Sequence, residues 1–129
     1  MIGAIRDYLE FHGRHCFRRP AEARFAEVAE LFAQDTDFFR QDLEVRHAAL
    51  SGEAFAEARW VDRLDLEPNL EAVFLYRCSR AVYLREPEHP SLLHLARLMK
   101  LRTGGEIYFR SAIGPRLRIV HSAGIVIGA

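Results

Sequence analysis

The sequence predicts a mainly α fold: a helical bundle that runs into the truncated start of a left-handed parallel β-helix. Three observations predict it. Apolar residues recur at helical spacing in successive blocks from Ile2 to Leu101. Isoleucine then recurs every six residues, at Ile107, Ile113, Ile119 and Ile125, and the position four after each holds Ser111, Leu117, Ala123 and Ala129. Between the two patterns lies Thr103-Gly104-Gly105, a helix stop and hinge. A period of six suits neither an amphipathic helix nor an alternating strand, but it fits a unit of one short strand and one turn. In a left-handed β-helix each such unit makes one flat side of a triangular prism, with the aliphatic residue inside and small residues at the corners. Two or three ordinary short strands are the alternative, and they leave the regular register of the isoleucines unexplained. The expected division is a helical assembly domain over residues 1–104 and incomplete hexapeptide repeats over 105–129.

The elements follow in order. Ile2, Ile5, Tyr8 and Leu9 mark an amphipathic helix that frays between Gly13 and Cys16. Pro20 opens the next, since proline suits a first helical turn, and Phe25, Val28, Ala29 and Phe32 form its apolar face up to a break near Gln34. Asp35, Thr36 and Asp37 are candidate N-caps for a third helix through Phe38, Phe39, Leu43 and Leu50, ending at Ser51-Gly52. The aromatic faces of these helices read as core or subunit contact. Phe55 and Trp60 suggest a short helix before Glu67-Pro68. A helix then carries Leu70, Val73, Phe74, Cys78, Ala81 and Val82 on or near one face as far as Glu86-Pro87. After His89-Pro90-Ser91 comes a leucine-rich helix, Leu92 to Leu101, expected to be almost wholly buried.

Composition narrows the function. The chain has 129 residues, half of them apolar, enough for a globular core. Eighteen basic residues balance eighteen acidic ones, so no net field recruits nucleic acid or an anionic membrane. Asp7 and Glu10 interrupt any secretory hydrophobic stretch, and no apolar run has the length of a membrane span; a cytoplasmic protein is expected. Cys16 and Cys78 match no zinc spacing and read as free thiols, so no metal is expected. His12, His15, His47, His89 and His94 are assigned to surface or helix-end positions.

The order of short motifs is more specific. Tyr76-Arg77, His89-Pro90, Leu95 to Leu98, Thr103-Gly104, Glu106-Ile107, Ala112 to Gly114, and His121 followed by Gly124 to Gly128 together resemble the serine acetyltransferase family of hexapeptide-repeat acyltransferases. The resemblance runs from roughly Pro68 to the C-terminus. It implies transfer of acetyl from acetyl-CoA to the hydroxyl of L-serine in cysteine biosynthesis, with acetyl-CoA as co-substrate and no permanently bound cofactor. It also implies a homo-oligomer, a trimer or dimer of trimers built through the helical domain, and a cysteine-synthase partner.

By the same resemblance His121 is the catalytic general base, and Glu106 the acidic residue that orients its ring. Val120 stands where the family has an aspartate beside the substrate's amino group, and Tyr108-Phe109 replaces a His-Pro pair. The family's second catalytic histidine and most of its acetyl-CoA groove correspond to positions beyond Ala129, so the chain is expected to be inactive alone. Two alternatives stand beside this reading: a non-catalytic oligomerisation module, and a hexapeptide-repeat transferase acting on a sugar hydroxyl.

Overall fold

A computed structural model describes residues Met1 to Gly128. Ala129, the last position of the six-residue pattern, lies outside the described residues. Seven α-helices precede two very short strands: α1 (Ile2–Cys16), α2 (Phe25–Ala33), α3 (Asp37–Arg46), α4 (Glu53–Ala56), α5 (Val61–Leu64), α6 (Pro68–Arg85), α7 (Ser91–Thr103), β1 (Glu106–Ile107) and β2 (Val126–Ile127). The mainly helical class is therefore as the sequence predicts.

The molecule is built around α6. Pro68 starts it, because a first-turn residue needs no N–H partner, and it stops at Glu86, the residue before Pro87. Its burial runs all the way round, from Leu70 to Cys78 without a break. Helices α2, α3, α5 and α7 pack on it, and the C-terminal segment covers what is left. An aromatic cluster locks the helices together. Phe39 on α3 lies edge-on to Trp60 at 4.8 Å, Phe32 on α2 lies edge-on to Phe74 on α6 at 5.4 Å, and Phe55 stacks on Trp60 at 5.8 Å. Edge-to-face and offset contacts of this kind contribute beyond the area they bury.

Several expectations are corrected. The residues after Pro20 form only a 3₁₀ turn, Pro20–Ala23, because Arg24 turns into the left-handed region at φ 52° before α2 begins. Helix α3 ends at Arg46 and not at Ser51-Gly52. Both Arg46 and His47 reach across to the Glu67 carboxylate, at 2.9 and 2.7 Å, and His47 leaves helical geometry to do so. Thr36 makes no side-chain cap, and the Asp37 carboxylate accepts from Arg40 and Gln41 instead.

Helix α7 is half exposed rather than wholly buried, with Leu93 and Leu101 at 77% and 50% exposure. The helix that is buried all round is α6, whose polar Glu71, Arg77 and Ser79 hide that fact in the sequence. His12 and His89 are buried, each against a carboxylate, and not on the surface.

Past Gly105 the described residues contain one parallel strand pair, with Glu106 beside Val126 and Ile107 beside Ile127. A single pair does not establish a left-handed β-helix. The strands also pair at a step of twenty residues, so Ile107 neighbours Ile127 rather than Ile125. The chain bends at Arg116, which sits at φ 67°, a conformation that side chains rarely adopt. Ile107 and Ile119 are buried, while Ile113 and Ile125 are partly buried against the same core as the helices.

Candidate functional site

Little of the C-terminal segment's backbone is satisfied by the β1–β2 ladder. Helix side chains supply many of its other partners, as unpaired buried backbone groups would be costly. Tyr76 donates its hydroxyl to the Ser111 carbonyl and accepts from Ile113 N–H. Arg77 donates to the carbonyls of Ile113 and Gly114 at 2.8 and 2.6 Å, and Asp42 accepts from Leu117 N–H at 2.6 Å. Arg46 donates to the Ile119 carbonyl at 3.1 Å. Asn69 grips residues 120–122 from both sides, donating to the Val120 carbonyl and accepting from Ser122 N–H at 2.7 Å. Ser122 Oγ closes the set on the Thr103 carbonyl at 2.9 Å.

His121 stands in the middle of this fastening. The residues on either side of it are tied to α6 and α7, whereas its own side chain is exposed and makes no hydrogen bond within the described residues. A fixed backbone thus holds out a free imidazole. Glu106 begins β1, and its N–H donates to the Ile125 carbonyl at 2.8 Å. Its carboxylate is half-exposed and lies 3.9 Å from Lys100 Nζ, and it makes no hydrogen bond to His121.

The chain around the two candidate residues is nevertheless in contact. Gly104 ends α7 at φ 72° and accepts from Gly124 N–H at 3.0 Å, and a Cβ on Gly105 would lie 2.7 Å from the Ser122 carbonyl oxygen. Glycine at 105 lets the neighbour of Glu106 touch the neighbour of His121. Glu106 also lines an apolar cavity of about 240 Å³ with Met99, Tyr108 and Val126, and His121 is not among its walls. Val120, beside His121, is 62% exposed.

Two polar clusters escaped the sequence reading. In the first, Tyr8 donates to Glu71, Arg102 bridges Glu71 at 2.8 Å and Asp65 at 3.0 Å, and His12 Nε2 donates to Asp65 at 2.9 Å. Burial and the adjacent Glu71 carboxylate push the Tyr8 hydroxyl far above its usual range, so it is a fixed donor. In the second, His89 Nδ1 accepts from Ser91 N–H at 3.0 Å, which leaves the proton on Nε2 to be donated to Glu27 at 2.7 Å. Both groups have the composition of a metal site. Arg102 already occupies both carboxylates of the first, and the tautomer of His89 turns an N–H toward the second, so neither set is a vacant ligand cage. The one signal for the first in the sequence was Glu71 inside an otherwise apolar stretch of α6, and the second had none. Cys16 and Cys78 are free thiols, Cys78 raised well above its usual range by complete burial. No helix of the described residues is long and apolar enough to cross a membrane. No family model, curated protein or solved structure matches the chain.

Proposed function

We propose that this chain is the helical and first-coil portion of a serine acetyltransferase-like enzyme, with His121 as general base on the acceptor side. The observation that carries the reading is the exposed, unpartnered imidazole of His121 on a backbone pinned at Val120 and Ser122. A base must be positioned rigidly and still be free to take a proton. Neutral His121 would accept the proton of the acceptor hydroxyl as that oxygen attacks the thioester carbonyl of acetyl-CoA. The imidazolium would then return the proton to the departing thiolate, a cycle worth about 10²–10⁴-fold in rate. Glu106, half-exposed and close in the chain to Gly105, would act on the imidazolium as a charge rather than as a hydrogen-bonded partner. Further strands stacked on β2 would supply the remaining hexapeptide coils of a left-handed β-helix and the acetyl-CoA groove.

The test is binding before turnover. L-serine added to the chain is expected to shift the ring resonances of His121, and L-alanine, which lacks the hydroxyl, to shift them less. Ring signals indifferent to L-serine would remove the serine reading, and a response to a sugar hydroxyl instead would select the sugar acceptor, which Val120 permits. No acetyl-CoA turnover is expected from this chain alone; turnover abolished by His121→Ala would show that the donor site is built from these residues after all.

A second reading, an assembly module, draws on the exposed apolar surface. Leu84, Leu93, Leu101 and Val126 are 60%, 77%, 50% and 70% exposed. Such residues suit a contact between copies, as in the trimers and hexamers that the family resemblance implies.

A further inference from the structure

We propose that the cleft between α3, α6 and residues 112–114 binds a small monocarboxylate with an apolar body. The cleft encloses about 330 Å³, within the range of small-ligand sites. Phe38, Phe39, Ala81, Leu84 and Ile113 make its walls apolar. Phe38 and Leu84 also keep 45% and 60% of their surface exposed, so an apolar occupant would remove that surface from water.

Two guanidinium groups, one helical turn apart on α6, reach this cleft, and they differ in what they hold. Arg77 is filled from within. Its Nε and Nη2 grip the two oxygens of Asp42 at 2.6 and 3.1 Å, and its remaining contacts go to the carbonyls of Ile113 and Gly114. Arg80 is anchored through Nη1 alone, which donates to the carbonyls of Phe109 and Arg110 at 3.3 and 3.1 Å. No carboxylate pairs with Arg80 among the described residues, and its Nε and Nη2 donate to no protein acceptor. The edge that Arg77 uses to hold a carboxylate is thus unfilled on Arg80.

A planar fork of two parallel N–H groups matches a carboxylate better than it matches any other common anion geometry except phosphate. Asp35 decides between these. Its exposed carboxylate lies on the same cleft, so a second negative charge on the ligand is opposed. A purely structural Arg80, there only to hold residues 109–110, would leave the fork indifferent to added carboxylate. The site is distinct from His121 and does not depend on the acyltransfer reading.

The probe is 4-methylpentanoate, titrated into the isotope-labelled full chain. Binding is expected to shift the amides of Phe38, Leu84 and Ile113 and the Arg80 Nε–H together. Arg80→Gln is expected to weaken binding about tenfold or more, the effect of losing a charge-assisted bidentate contact. The neutral 4-methylpentanol and the dianion glutarate are expected to bind more weakly than the probe. Because Arg80→Gln also loosens residues 109–110, a second variant, Ala81→Leu, fills the cleft while keeping the Arg80 contacts. It is expected to lose the probe with its helical spectrum and melting temperature unchanged. Equal binding of 4-methylpentanol, retention of the probe by either folded variant, or no localised shift at millimolar probe would each overturn the proposal.

Discussion

Arg77 and Asp42 are almost completely withdrawn from solvent, with side-chain exposures of 6% and 0%. Removing one member of such a pair strands the other's charge, at a cost of about 3–5 kcal/mol. Arg77→Ala is therefore expected to lose that much stability, and to expose the Leu117 N–H that Asp42 holds to faster hydrogen exchange. The double variant with Asp42→Ala is expected to lose less than the sum of the singles, as urea unfolding would measure; strictly additive losses would mean that the two charges are not coupled. Acid acts through other groups. Burial, then the nearby Arg102 guanidinium, lower the pKa of His12 below 6.5 against the opposing pull of Asp65. Burial raises the Glu67 carboxyl, but the hydrogen bonds and charges of Arg46 and His47 outweigh it and hold the group below 4.5. In both cases the unfolded chain binds the proton more tightly, so stability falls with falling pH. The His12 contribution is complete above pH 6.5 and is lost below it, and the Glu67 contribution is lost as pH drops below 4.5 through the folded value. Urea midpoints measured above 6.5, between 6.5 and 4.5, and below 4.5 are expected to decline in two stages, and His12→Phe to remove the upper one.

At the scale of elements, the helices were largely legible because their boundaries carry local chemistry: Pro68 opens α6, Pro87 follows its end, and Gly104 closes α7 in the left-handed conformation. Burial was less legible. The leucines of α7 suggested an enclosed helix, yet Leu93 and Leu101 face out, while α6 buries Glu71 and Arg77 because distant residues meet their charges. Such partners are fixed by tertiary packing, and no spacing within a single helix reveals them. The six-residue pattern pointed to a short strand in each unit, at Ile107, Ile113, Ile119 and Ile125; among the described residues only Glu106–Ile107 and Val126–Ile127 are strands, and their twenty-residue offset includes the bend at Arg116 held through Leu117 and Asp42. Of the candidate site, the resemblance singled out His121 and Glu106. The side chains of Arg46, Asn69 and Ser122 that fasten the surrounding backbone had no motif to announce them. Gly105→Ala tests that junction. Its Cβ would meet the Ser122 carbonyl at 2.7 Å, against backbone that cannot swing aside. A loss of about 1–3 kcal/mol is expected, together with loss of the β1–β2 pairing in amide exchange. A fully stable variant would show that the contact between these two chain segments is loose.

For the molecule as a whole, the assembly reading predicts self-association through exposed leucine and valine. Light scattering at micromolar concentration is expected to find a homo-oligomer, and Leu93→Glu with Val126→Lys to shift it to smaller species while leaving the helical circular dichroism intact. A monodisperse monomer at every concentration would remove that reading. The ties between the helices and the last quarter of the chain also carry an implication for time. Asp42 reaches Leu117 across 75 residues of sequence and Arg46 reaches Ile119 across 73, so these contacts form only once the end of the chain has returned to α3. Contacts of such long separation return nothing until a large loop has closed. The helices are thus expected to gather first in refolding, and the segment that carries His121 to settle last, onto a surface already made.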